Sequence, residues 1–140
     1  MVGIQRVQHV SVPMRSDGHE AARQFYGTHL GLQEIAPPAD LTQLSLIWFK
    51  AGNDGQEIHC FADDAADSAK RAQHLCFQVD DLSAVRDSLQ AAGVVLEETT
   101  PIHNRPRCFV RDPFGNLIEL TEIIGAYRPA APAVANASAD

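Results

Sequence analysis

Polar and apolar residues alternate through Val7-Gln8-His9-Val10-Ser11-Val12, a two-residue period that predicts a β-strand ended by Pro13. The period then lengthens. Ala21, Ala22, Phe25, Tyr26 and Leu30 recur at helical spacing, Ser16 or Asp17 is placed to cap, and Gly31 stops the run, which predicts an amphipathic helix over 17–29. Strands are predicted next over 32–35, 41–50 and 56–61, separated by Pro37-Pro38 and by Gly52-Asn53-Asp54-Gly55. The order is βαβββ. After a small, polar linker over 63–72 the same order returns: a strand over 73–79, a helix over 82–92 stopped by Gly93, and strands over 94–97, 107–111 and 116–121.

The recurrence extends to individual residues. Gln8-His9-Val10-Ser11-Val12 matches Gln73-His74-Leu75-Cys76-Phe77, and Gly55-Gln56-Glu57-Ile58-His59 matches Gly115-Asn116-Leu117-Ile118-Glu119. Superposing the copies aligns His9 with His74 and His59 with Glu119, which is the pattern a metal site straddling an internal pseudo-twofold requires. Strand side chains alternate faces, so His9 shares a face with Ser11, His74 with Cys76, Glu57 with His59, and Leu117 with Glu119. Sheets curling into one concave surface would bring these faces together. Three imidazoles and a carboxylate suit a divalent transition ion such as Zn, Ni, Fe, Co or Mn, whereas Ca would want more oxygen donors. Glu57 sits on the face of His59 and competes with it for the fourth position; the repeat alignment favours His59. A buried polar network of the same residues is the structural alternative.

Composition narrows the classes of partner. A chain of 140 residues with 45% hydrophobic and 21% charged side chains is sized and balanced for one core, expected as a single domain over 1–125 built from modules 4–62 and 73–123. A net charge of -7 without clustered Lys and Arg argues against nucleic acid. No apolar run is long enough to span a membrane, and the expected setting is soluble and cytoplasmic, with a small-molecule substrate. Cys60, Cys76 and Cys108 lie in strand-like runs without CxxC spacing, as reduced core thiols do. The Ala- and Pro-rich stretch 126–140 is expected to be a flexible tail.

Other candidates surround this ligand set. Arg105 and Arg107, with Arg111, form a basic cluster that reads either as a solvated rim or as a fork for an anionic substrate. Trp48 and Phe61 could wall an apolar pocket, Tyr26 reads as packing, His103 as a loop residue, and Asp112-Pro113-Phe114-Gly115-Asn116 as a tight turn feeding the last strand.

Gln8-His9-Val10-Ser11-Val12, Phe25-Tyr26 with Leu30-Gly31-Leu32, His74-Leu75-Cys76-Phe77-Gln78-Val79-Asp80-Asp81-Leu82 and Arg111-Asp112-Pro113-Phe114-Gly115-Asn116-Leu117-Ile118-Glu119-Leu120 together resemble the vicinal oxygen chelate superfamily over residues 4–123. Glyoxalase I, bleomycin and fosfomycin resistance proteins, methylmalonyl-CoA epimerase and extradiol dioxygenases are members. The resemblance implies an α+β fold in which two βαβββ modules form a curved mixed sheet, with metal positions falling on His9, His59, His74 and Glu119. It implies a homodimer whose modules pair within or between subunits. It implies a glyoxalase-type lyase or isomerase that chelates vicinal substrate oxygens and stabilises an enolate, with Glu119 or Glu57 as catalytic base. An Fe(II) extradiol ring-cleaving dioxygenase and a non-catalytic sequestering or antibiotic resistance protein are the alternatives. Glyoxalase I usually carries Glu, and the epimerase Gln, where this chain has His59.

Overall fold

The computed structural model describes residues 3–128. Strand β1 (His9–Met14) leads into α1 (His19–Ala22), which continues as a π-helical stretch, Arg23–His29, and then into β2 (Gln33–Ile35), β3 (Leu46–Ala51) and β4 (Gln56–Ala62). The second half runs β5 (His74–Gln78), α2 (Leu82–Ala91), β6 (Leu96–Glu97), β7 (Arg107–Arg111) and β8 (Leu117–Thr121). Each half forms its own four-stranded sheet, ordered β1-β4-β3-β2 and β5-β8-β7-β6, with the first and last strands parallel and the others antiparallel. The expected α+β fold of two βαβββ modules is the observed one.

Two elements are much shorter than their patterns predict, and a third changes its helical geometry. The stretch 41–50 was expected as one strand, yet only its second half pairs; Ala39–Leu41 is a 3-10 turn following Pro38, and Leu44 and Ser45 stay exposed. Strand β6 keeps only the two residues that find a partner on β7. The first helix carries no side-chain cap at Gly18 and widens, with Leu30 N–H bonding Phe25 O. Helix α2 behaves as predicted: the Asp81 carboxylate accepts the Ala84 N–H at its start, and Gly93, with φ at 80°, allows the left-handed exit that stops it.

Alternation fixes which face of each sheet is buried. Val12, Met14, Ile47, Phe49, Ile58 and Cys60 from the first sheet and Cys108, Val110, Ile118 and Leu120 from the second form one buried apolar cluster with Phe25, Tyr26, Leu82 and Leu89 of the helices. Burying each of the larger of these side chains is worth about 1.5–3 kcal/mol, which ties the sheets to the helices. Burial raises the Cys60 thiol to about 12, so the expected inert core thiol is found there, while Cys76 lies exposed on the opposite, open face.

The halves meet at a polar seam. The Tyr26 hydroxyl donates to Asp112 Oδ2 at 2.6 Å, Asn116 Nδ2 donates to the same oxygen at 2.7 Å, and the Phe114 and Asn116 amides donate to Asp112 Oδ1. Asn116 Nδ2 also donates to Pro13 O at 2.8 Å, so one buried carboxylate joins the first helix, β1 and the β7–β8 turn. Gly115 completes the turn at φ 88°, where a Cβ would stand 2.9 Å from the Ala69 backbone nitrogen. The predicted tail lies outside the described residues from 129 onward. No helix among the described residues is long and apolar enough to cross a membrane.

Candidate metal centre

Strand register sets where each candidate ligand stands. His9 is opposite Glu57 and Ser11 opposite His59 on the parallel pair β1/β4; His74 is opposite Leu117 and Cys76 opposite Glu119 on β5/β8. In both modules the first-strand histidine is therefore offset by the same two residues from its candidate co-ligand. This equivalence places His59, not Glu57, where Glu119 stands in the other copy.

In the first module His9, His59 and Trp48 form a column of rings. His59 lies flat on Trp48, with centroids 3.7 Å apart and planes at 4°, and His9 stacks on its other side at 4.2 Å and 18°. His9 Nδ1–H donates to Gln8 Oε1 at 2.6 Å, leaving Nε2 as the ring nitrogen with a lone pair to offer. His59 Nε2–H donates to Glu57 Oε2 at 2.7 Å, and that bond holds the Glu57 carboxyl below the usual range. The Trp48 indole N–H is buried and finds no acceptor among the described residues. Phe61, two residues beyond His59, shares the open face.

The second module carries the other pair. His74 Nδ1–H donates to Ala72 O at 2.9 Å, and Nε2 stands 3.2 Å from Glu119 Oε2. Backbone or side-chain oxygen at Nδ1 with Nε2 turned outward is the way a protein commonly orients an imidazole for a metal. Phe109 meets the His74 ring edge-on, with centroids 4.9 Å apart. The other Glu119 oxygen, Oε1, accepts from Arg107 Nη1 at 3.1 Å, and both side chains are largely enclosed, at 15% and 12% exposure.

The predicted ligands thus come together as two pairs, His9 with His59 and His74 with Glu119. Among the described residues, no group of three or more His, Cys, Asp or Glu side chains is placed to hold one ion. The donor types present, imidazole nitrogen and carboxylate oxygen, suit a transition dication; Nε2 of His9 carries a free lone pair, Nε2 of His74 faces Glu119, and Nε2 of His59 is turned to Glu57.

The basic residues are differently engaged than their clustering suggests. Arg105 donates to Asn104 O and Gly125 O and lies 4.2 Å over the Tyr127 ring, holding the segment after β8. Arg107 also donates to Thr100 O and Thr99 Oγ1, and Arg111 to Gly115 O, beside Glu97. Of the described lysines and arginines, Lys50 alone has neither a hydrogen bond nor an ion pair; it lies opposite Glu57 in register. His103 sits in the expected loop against Arg128.

Gln8 was not among the residues expected to act, although it adjoins His9 and its counterpart Gln73 adjoins His74; that repeated Gln-His pair is the signal in the sequence. The Arg107–Glu119 and Glu57–His59 bonds depend on side-chain direction within one sheet and have no such signal.

A family model described as the Glyoxalase/Bleomycin resistance protein/Dioxygenase superfamily matches residues 6–120. A solved glyoxalase-family protein from Bacillus anthracis is 33% identical, with a TM-score of 0.79 and coverage of 88% of this chain and 98% of that one. The chain belongs to this superfamily. A glyoxalase/dioxygenase from Nostoc punctiforme, at 24% identity, shares the fold with a TM-score of 0.73 over 86% of this chain and 92% of its own. A genomically encoded fosfomycin resistance protein from Listeria monocytogenes does so at 17% identity and a TM-score of 0.69, over 85% and 91%. No curated protein matches the chain in sequence.

Proposed function

We propose that this protein is a divalent-metal-dependent enzyme of the glyoxalase type, a lyase or isomerase of small molecules, working as a homodimer in which the first module of one copy faces the second module of the other. The observation that carries the reading is the matched pairing of His9 with His59 and of His74 with Glu119 at the same strand offset, each pair on an open sheet face. Neither pair is a complete ligand set, and facing modules from two copies would complete two sites at once. His9, His59, His74 and Glu119 would hold the ion. A dication bound there would supply Lewis-acid polarisation to vicinal oxygens of the substrate.

The two carboxylates divide the remaining work. Glu119 has both oxygens engaged, one by Arg107 and one facing His74, which suits a ligand. Glu57 accepts from His59 at Oε2 and also hydrogen-bonds the Gln8 side chain, but no guanidinium among the described residues grips it as Arg107 grips Glu119, so Glu57 is the group suited to remove the proton beside the substrate's paired oxygens. Trp48 and Phe61 line the same face and would exclude water from the reacting carbon. This assignment keeps Glu119 with the metal and gives the base role to Glu57.

Elemental analysis of protein purified without added metal, followed by turnover assays with hemithioacetals of 2-oxoaldehydes after loading with Ni, Zn, Co or Mn, tests the reading. A stoichiometric ion with turnover is expected. Oxygen uptake with catechols in the Fe(II) form would overturn it in favour of ring cleavage, and ligand-dependent stabilisation without turnover in favour of sequestration. Mixing His9→Ala and His74→Ala variants tests the dimer: exchange of subunits restores turnover if modules of different copies pair, and restores none if each chain builds its own site.

A further inference from the structure

Arg107 has no counterpart in the first module. It stands opposite Thr121 on β7, and the equivalent place on β3, opposite Phe61, is Leu46. Its surroundings are built rather than incidental. Nε–H and Nη2–H donate to Thr100 O at 3.2 and 2.9 Å, Nη2 also reaches Thr99 Oγ1 at 3.4 Å, and the guanidinium carbon lies 5.8 Å from the centre of the Phe109 ring. Two edges of the guanidinium are thereby fixed to the protein, and Nη1 is left aimed at Glu119 Oε1, 3.1 Å away. The carboxylate is gripped on one oxygen by a rigid fork, while the other oxygen faces His74 Nε2.

We propose that Arg107 is a positioning residue that dedicates Glu119 to binding a divalent transition ion through Oε2 alone, and that it does not serve as a receptor for substrate anions. The inference rests on the metal-dependent reading above. A carboxylate free to rotate could offer both oxygens to an ion or swing away from it; with Oε1 held, only Oε2 is presented, at a fixed direction beside the His74 ring. The same bond keeps Glu119 from acting as a mobile proton acceptor. An anionic substrate arriving at this face would find the guanidinium donors already engaged by Thr99, Thr100 and Glu119.

The sign of one measurement separates positioning from mere proximity. A guanidinium that only sits near the site repels a dication, so its removal should tighten binding, whereas removal of a positioning group should loosen it. Outer-shell partners of metal ligands typically contribute about 10–100-fold in metal affinity. The experiment is Co(II) titration of the full-length chain and of its Arg107→Met and Arg107→Lys variants, read by calorimetry and by the visible absorption of the bound ion. The expected result is that Arg107→Met weakens Co(II) binding by about 10–100-fold and changes the absorption band. Arg107→Lys, which keeps the charge and loses the fork, is expected to fall between Arg107→Met and wild type. Circular dichroism of each variant checks that the fold is kept. Equal or tighter Co(II) binding by Arg107→Met, or an unchanged band, overturns the proposal while leaving the metal-dependent reading standing. Failure of the wild type to bind Co(II), Ni(II) or Zn(II) overturns both.

Discussion

The two modules keep the backbone of a candidate half-site and differ in the side chains that support it. Both present a histidine from the first strand, offset by two residues from a second donor on the last strand. In the first module that donor is an imidazole, held by a carboxylate at its edge and an indole on its face. In the second it is a carboxylate, held by a guanidinium, with a phenyl ring edge-on to the neighbouring imidazole. The support has changed charge along with the ligand: an N–H donor is met by Glu57, an acceptor oxygen by Arg107. A duplicated sheet thus preserves direction and spacing through strand register, while the chemistry of each donor is fixed by neighbours free to diverge.

The modules also use their last turn differently. Gly52 to Gly55 lies in solvent, whereas Asp112 and Asn116 are buried beneath Tyr26. Desolvation raises the Asp112 carboxyl above its ordinary value, and the donors converging on it compensate in part. The same position in the repeat therefore serves as a loop tip in one copy and as the intramolecular joint in the other.

If the halves contribute equally to one site, substitution in either should be equally damaging. Alanine at His9, His59, His74 or Glu119 is expected to weaken Co(II) binding beyond the roughly 100-fold ceiling of outer-shell changes. Calorimetric titration of the four variants checks this. Retained affinity in the His9 and His59 variants alone would assign the ion to the second module and break the equivalence.

The turns are expected to differ almost as sharply in stability. Asp112→Ala strands the Tyr26 hydroxyl, Asn116 Nδ2 and two backbone amides, a loss of about 3 kcal/mol or more, and Tyr26→Phe, which removes one bond to a charged acceptor, about 1.5–3 kcal/mol. Asp54→Ala in the exposed turn should stay within about 0.5 kcal/mol, since only the backbone carbonyl of Asp54 is engaged, by Arg6. Denaturant unfolding curves of the three variants give the comparison. A stability loss for Asp54→Ala equal to that for Asp112→Ala would mean that the burial of the second turn contributes nothing.

Much of this contrast was legible in the residues themselves. Two-residue alternation around His9 and His74, helical spacing before Gly31 and Gly93, and the Gly-x-x-x-[His/Glu] echo identified both modules and the four candidate ligands, because register and periodicity are local properties. The strand predicted over 41–50 was too long because an apolar pattern cannot reveal which residues find a pairing partner; Pro38 starts a 3-10 turn there instead. Asp112 to Asn116 carried an unmistakable turn signal, but nothing local marks that a helix some ninety positions earlier covers it, as the Tyr26–Asp112 separation of 86 shows. The partners of the basic cluster were illegible for the same reason: the oxygens of Gly125, Thr100 and Glu119 that engage Arg105 and Arg107 belong to segments brought in by folding. The proposed pairing of the two halves across copies is written in no single chain's pattern.

The smallest expected difference between the modules is one of pH. Bonding to His59 lowers the Glu57 carboxyl from 4.5, so its contribution to stability is complete above that value and drains away as the pH falls below it. Asp112 is raised from 3.8 by burial, so its contribution is complete in acid below that value and is lost as the pH rises through the raised one. In metal-free protein the stability of wild type relative to Glu57→Gln should therefore increase with rising pH, by less than about 1 kcal/mol for a partly exposed pair. Relative to Asp112→Asn it should decrease over the region above 3.8. Urea unfolding from about pH 3 to pH 6 measures both slopes. Slopes of the same sign would mean that the carboxylate beside the ring column and the carboxylate at the seam respond to one common environment, and the distinction between a solvent-facing half-site and a buried joint would not hold.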